Sequence, residues 1–250
     1  MHQLAKERSA YQEITVFEAS ELYGKTGKYR LLQFSDDAVQ GAMDLKDPSR
    51  IVLEYPRAII HLMERNDPSF ARAFMIGHGI GTIAGRYPDK RFTVAEIDDK
   101  VVELSRRYFD YRMDNVVIGD GRALLGLEDE GILDYVIVDA FTKDGTPARF
   151  ASLEFFRMAA SKLAFGGTII MNLAGRARND KYIDAVYTTL TGAFAYTKAY
   201  ALPGSSASDK RNVILAGSGR PIDCEPREMA GFREIGPDPG HLITDRAAPA

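Results

Sequence analysis

Ala73-Phe-Met-Ile-Gly77-His-Gly79-Ile-Gly81, then Val94-Ala-Glu96-Ile-Asp98, then Val117-Ile-Gly-Asp120-Gly121 is the succession on which the fold of this chain turns. An apolar run enters a glycine turn. A second apolar run ends in a carboxylate, and so does a third. Strand, glycine turn, helix, strand with terminal acid is the layout of a doubly wound sheet that binds a nucleoside at its carboxyl edge. The glycines at 77, 79 and 81 let backbone approach a ligand closely. Glu96 is placed to accept hydrogen bonds from a ribose diol.

The spacing narrows the ligand. A dinucleotide fingerprint needs glycine at its first, third and sixth positions, and the sixth here is Thr82. No Gly-Lys-Ser/Thr follows, so a P-loop is excluded. An adenosine ligand without a pyrophosphate fits, such as S-adenosylmethionine (SAM) or its decarboxylated form.

Composition bounds the class. The chain has 250 residues, 45% hydrophobic and 27% charged, which suits one large soluble domain plus a small appendage. A net charge of −3 and a pI near 5.9 give no footprint of nucleic-acid binding. One cysteine, Cys224, leaves no internal disulfide framework and fits a reducing compartment. The opening residues lack the apolar core of a secretory signal, and no run approaches the roughly 20 apolar residues of a membrane span. A cytoplasmic enzyme without membrane or nucleic-acid partners is the expectation.

Along the chain, Gln12–Glu18 alternates apolar and polar as a half-buried strand does. Tyr29–Phe34 and Ala38–Met43 flank the polar Ser35-Asp-Asp37, which predicts a hairpin. Residues 1–47 therefore form a small antiparallel β domain. Residues 49–65 are expected to be helical, with Ala58, Ile59, Leu62 and Met63 on one buried face. The α/β domain follows over 48–217. Its strands are Ala73–Ile76, Phe92–Ile97, Asn115–Gly119, Tyr135–Asp139 and Thr168–Leu173, and Gly166-Gly167 is expected to end a helix. An antiparallel pair closes it. Residues 218–250, rich in Pro, Gly and charge, are expected to be a flexible tail.

Asp139 is the candidate for chemistry. It closes the fourth strand at the edge where open α/β sheets bind ligands. A carboxylate there can accept a proton from an amine nucleophile, or hold that amine in line with a sulfonium carbon. The plainer reading is an aspartate that braces a loop. Asp120 can accept from the exocyclic amine of adenine, or can be a turn aspartate before Gly121. His78 lies inside the glycine turn and is expected to line the site. The four histidines show no metal-ligand spacing, so no metal is expected.

Taken together, these residues resemble the spermidine synthase family of polyamine aminopropyltransferases, on the class I SAM-methyltransferase fold. The resemblance runs from Tyr11 to Ala216. It rests on Tyr11-Gln12-x-Ile14-x-Val16, Asp36 and Asp37 to Gln40, Glu54-Tyr55 through His61-Leu62, the glycine turn, Glu96-Ile-Asp98, Gly119-Asp120-Gly121 and Asp139. The resemblance implies that Gln12, Gln40, Tyr55 and His61 approach the methionine-derived part of the ligand. It implies that Glu96 binds ribose, Asp120 adenine, and Asp139 the attacking amine. It implies a doubly wound Rossmann-like α/β fold, a homodimer, and transfer of an aminopropyl group from decarboxylated SAM to an amine, releasing methylthioadenosine.

The chain departs from the family at named positions. Ile80 stands where the family's glycine turn carries an aspartate that would hold the amino end of decarboxylated SAM. Ala140-Phe-Thr-Lys replaces Ser-Ser-Asp-Pro, with Lys143 added and the next acid, Asp144, two positions late. Asn172-Leu173-Ala174 ends strand five where the family tends to be acidic. A SAM-dependent methyltransferase on the same scaffold is therefore the alternative, and a non-catalytic nucleoside-binding protein is the third reading.

Overall fold

A computed structural model describes residues 1–34, 39–142, 145–204 and 209–245. The expected hairpin loop with Asp36 and Asp37, and the departures Lys143 and Asp144, lie outside the described residues.

The N-terminal sheet is antiparallel, ordered β1 (His2–Arg8), β2 (Glu13–Leu22), β3 (Lys25–Phe34) and β4 (Val39–Asp44). Period-two alternation lets β2 bury both faces. Ile14 and Val16 pack with Leu32, Ile80, Val101 and Leu104, while Phe17 joins Leu31, Tyr29 and Leu53. Two features differ from expectation. Residues 2–8 form a strand, although their charged, weakly alternating sequence did not announce one. A tight hairpin at Tyr23-Gly24, both at positive φ, joins β2 to β3.

Helix α1 (Glu54–Asn66) buries the four residues its periodicity marked, along with Pro56 and Ile60. The main sheet then assembles from β5 (Arg72–Ile76), β6 (Arg91–Glu96), β7 (Val116–Ile118), β8 (Leu133–Val138), β9 (Leu163–Gly175), β10 (Tyr196–Ala201), β11 (Arg211–Ser218) and β12 (Arg233–Ile235). Its order is β12-β10-β11-β9-β8-β5-β6-β7. Strands β5 to β9 run parallel. Strand β11 pairs antiparallel with β9 and with β10, which also pairs antiparallel with β12. Helices α2 (Thr82–Gly85), α3 (Asp99–Tyr108), α4 (Gly121–Leu127), α5 (Leu153–Lys162) and α6 (Lys181–Thr191) complete the layers. The fold is the doubly wound α/β arrangement with a small antiparallel N-terminal sheet.

The chain runs outward from β5 to β6 and β7, then returns to lay β8 on the other side of β5. That reversal opens a crevice at the carboxyl ends of β5 and β8, the position where such sheets take ligands.

Three expectations change. Gly166-Gly167 does not end a helix: α5 stops at Lys162, and both glycines lie within β9. Helix α4 was not foreseen, its seven residues being too few to show a period. The tail is packed, not loose. Ile222, Met229 and Phe232 are buried against α1 and β10, β12 extends the sheet, and residues 238–243 run along α6. A few well-placed apolar anchors outweigh a Pro- and Gly-rich composition.

Candidate active site

The glycine turn and the end of β8 touch. The backbone N–H of Asp139 donates to Ile76 (2.8 Å), and that of Gly77 donates to Ala95 (2.8 Å). Gly77 has φ +96°, and a β-carbon there would lie 2.1 Å from the carbonyl oxygen of Asp139. Gly77→Ala is therefore expected to lose about 3 kcal/mol of stability, from the left-handed backbone and the clash together. Urea unfolding checks this. Gly81, at φ +82°, faces the Tyr111 ring the same way, and Gly79 lies beside the backbone of Gln40.

Glu96 ends β6 with its carboxylate aimed back at the turn. Oε2 accepts from the backbone N–H of His78 (2.9 Å) and Oε1 from that of Asp98 (3.0 Å). Each oxygen keeps one lone pair, the arrangement that accepts both hydroxyls of a ribose diol. Burial, helped by the Asp98 charge, raises its pKa, and the backbone amides of Asp98, His78 and Ile97 oppose that rise. Asp98 caps α3, and its Oδ2 accepts from the hydroxyl of Ser9 (2.6 Å). Ser9 also closes the turn to Gln12, so this bond carries Gln12, just before β2, to the Glu96 end of the crevice. Sequence reasoning missed the Ser9–Asp98 tie, which spans 89 residues.

His78 does not line the crevice. Its ring is buried, with Nε2 2.7 Å from the Ser105 hydroxyl and Tyr111 edge-on at 4.6 Å. Burial, then Arg106, lowers its pKa to about 4. A depressed pKa adds stability that is full above about 6.5 and is lost as pH falls toward 4. Compared with His78→Gln, the wild type is expected to lose about 3 kcal/mol more across that window, read from urea midpoints.

Asp120 is the N-cap of α4. Its Oδ1 accepts from the N–H groups of Arg122 (2.9 Å) and Ala123 (3.0 Å), and its Oδ2 from the guanidinium of Arg149. Burial pushes its pKa up, but Ala123, Arg149 and Arg122 together hold it below the usual range. The capping role is thus built, and one lone pair on Oδ2 stays open to a donor. Gly121 leaves room for Ile76 beside it.

Asp139 sits half-buried where β8 meets the turn. Asn172 donates to its Oδ1 (2.9 Å), Asn212 donates in turn to Asn172 (2.9 Å), and the Tyr55 hydroxyl donates to the carboxylate. Burial raises the Asp139 pKa to about 6, against the pull of Asn172 and Tyr55. Burial, then Asp139, pushes the Tyr55 phenol well above its ordinary value, so it stays a donor. Tyr23 at the hairpin tip and Arg211 of β11 complete this end of the crevice. Neither was singled out from sequence, because only the folded hairpin brings residue 23 to residue 55.

The structure therefore brings Gln12, Gln40, Tyr55, Glu96, Asp120, Asp139 and the glycine turn to one edge. It places His61 elsewhere: its Nε2 accepts from the backbone N–H of Glu225 in the tail (2.9 Å). Ile80 is buried against Gly41 and the β2 core, not turned to the crevice. Among the described residues no group of three or more His, Cys, Asp or Glu is placed to hold a metal, and no helix is long and apolar enough to cross a membrane.

Residues 53–219 match the spermine/spermidine synthase domain. The chain belongs to the spermine/spermidine synthase family. A polyamine aminopropyltransferase of Vibrio vulnificus (strain CMCP6) is 25% identical over 276 residues, covering 98% of this chain and 89% of that protein. Putrescine N-methyltransferase 1 of Nicotiana tabacum is 31% identical over 173 residues, covering 65% of this chain and 43% of that protein. The chain thus spans less than half the length of that methyltransferase. The crystal structure of a probable spermidine synthase from Corynebacterium glutamicum ATCC 13032 superposes with a TM-score of 0.83 at 21% identity, over 98% of this chain and 97% of that one, and shares its fold. The family expectation holds.

Proposed function

We propose that this chain transfers the aminopropyl group of decarboxylated SAM to an amine, releasing methylthioadenosine. The observation that carries this reading is the Asp139 carboxylate, fixed by Tyr55 and Asn172 against the glycine turn with its pKa raised to about 6. At neutral pH it is ionised, yet more basic than an exposed carboxylate. It holds the incoming ammonium by charge and takes its proton as nitrogen turns its lone pair toward carbon. The donor supplies a carbon beside a positive sulfur: the N–C bond forms, the C–S bond breaks, and a neutral thioether leaves. The protein contributes alignment: Glu96 on the ribose, Asp120 on the adenine, and the glycine turn against the sulfur end. The Vibrio aminopropyltransferase, matched over nearly the full chain, supports this reading.

Methyl transfer from intact SAM is the second reading. Ile80 favours it, because an apolar side chain packed against Gly41 offers no partner to the ammonium of decarboxylated SAM. The tobacco methyltransferase supports it too. Incubation with putrescine and each donor, followed by chromatography of the nucleoside product, separates the two. Methylthioadenosine as sole product supports the first reading. S-adenosylhomocysteine overturns it in favour of the second. A small amine acceptor and a homodimer belong to the same proposal.

A further inference from the structure

The C-terminal tail reaches the adenine end of the crevice through a chain of four charged side chains. Asp245 grips Arg122 with both oxygens, at 2.8 Å to Nη1 and 2.5 Å to Nη2. The same Nη1 donates to the backbone carbonyl of Arg149 (2.9 Å). Arg149 lies over the Phe150 ring at 4.9 Å and donates to Oδ2 of Asp120. The tail itself is pinned at each step. Asp238, Gly240 and Ile243 donate through their backbone N–H groups to Asp184, Thr188 and Thr189 of α6. The carbonyl of Ile243 accepts from Leu153, and the N–H of Asp245 donates to Glu154. Arg122 is raised in pKa, first by its bond to Asp245, and Asp245 is lowered, first by its bond to Arg122.

We propose that Asp245 is a positioning residue of the donor site: through Arg122 it sets the backbone of Arg149, and Arg149 aims the free edge of the Asp120 carboxylate at the adenine amine. This rests on the donor reading above. Asp120 has three of its four acceptor positions filled, two by its own helix and one by Arg149. The direction of the fourth therefore depends on where Arg149 stands. Three segments far apart in sequence, the α4 cap, the short 3-10 turn Ala148–Phe150 and the tail, are held in register by one guanidinium. Bidentate arginine–carboxylate pairs suit this task, since they fix orientation as well as distance. Arg122 is also sheltered, with 24% of its side chain exposed.

The test uses the full chain and methylthioadenosine as probe. Asp245→Asn should weaken its binding by about fivefold, roughly the worth of one sheltered ion pair. Arg149→Gln should weaken it at least as much, and the double variant no further than the larger single change. Asp238→Asn, on the same tail but outside the chain of contacts, should bind as the wild type does. In the ligand-free protein, hydrogen exchange at residues 148–153 should quicken in Asp245→Asn and not in Asp238→Asn. Affinities within twofold of wild type in both single variants would overturn the proposal, as would unchanged exchange at 148–153. A wild type that binds no methylthioadenosine would instead bring down the donor reading, and exchange alone would then decide whether the tail holds Arg149.

Discussion

Asp139→Asn is expected to lower turnover by at least about a hundredfold, the usual contribution of a positioned acid or base, with donor affinity little changed. Asparagine keeps an oxygen for the Asn172 amide and stays in contact with Tyr55, so the local geometry survives. What goes is the negative charge and the proton acceptor. The same change should stabilise the fold at high pH. A carboxyl raised to about 6 in the folded state favours folding when protonated, and that advantage fades as pH rises from about 4 to 6. Asp139→Asn should therefore be more stable than the wild type by roughly 2 kcal/mol at pH 8, the gap closing below pH 4. Urea unfolding at the two pH values reads the stability, and single-turnover rates read the chemistry. Full turnover in the variant would remove Asp139 from the mechanism.

Glu96→Gln is expected to act on binding and on stability together. The carboxylate accepts backbone N–H groups from His78 and Asp98 on its two oxygens. A glutamine offers one oxygen, and its amide nitrogen then meets an N–H donor head on. Leaving that buried amide unpaired costs about 1–3 kcal/mol. The ribose diol loses one of its two acceptors, so affinity for an adenosyl ligand should fall about 10- to 100-fold. Calorimetry with methylthioadenosine and urea unfolding measure the two effects. Unchanged affinity with lowered stability would make Glu96 a brace for the glycine turn and nothing more.

The frame of this site was legible in sequence for a physical reason. Strands buried on both faces are apolar runs, and an acid that ends such a run can only stand at the sheet's edge. Glu96 and Asp139 stood out on that ground, and three glycines within five residues marked where backbone must come close. The face of α1 was equally plain, because Ala58, Ile59, Leu62 and Met63 repeat with the helix period. What could not be read depends on pairings across long stretches of chain. Ser9 meets Asp98, His61 is taken by Glu225, and Arg149 stands on Asp120. No local pattern encodes these contacts. His78 was misread because its place in the turn is local, whereas the direction of its ring is decided by Ser105 and Tyr111. The tail was misread because composition averages over residues. Met229 and Phe232 anchor it as single buried side chains among exposed ones.

The crevice from Asp120 to Asp139 is proposed to take an adenosyl donor lacking the SAM carboxylate. Calorimetric titration of decarboxylated SAM, SAM and methylthioadenosine into the same preparation tests it most directly. Decarboxylated SAM and methylthioadenosine are expected to bind, decarboxylated SAM at least about tenfold more tightly than SAM, a difference of about 1.4 kcal/mol. Tighter binding of SAM would contradict aminopropyl transfer and leave methyl transfer standing, and binding of none of the three would contradict the donor site itself.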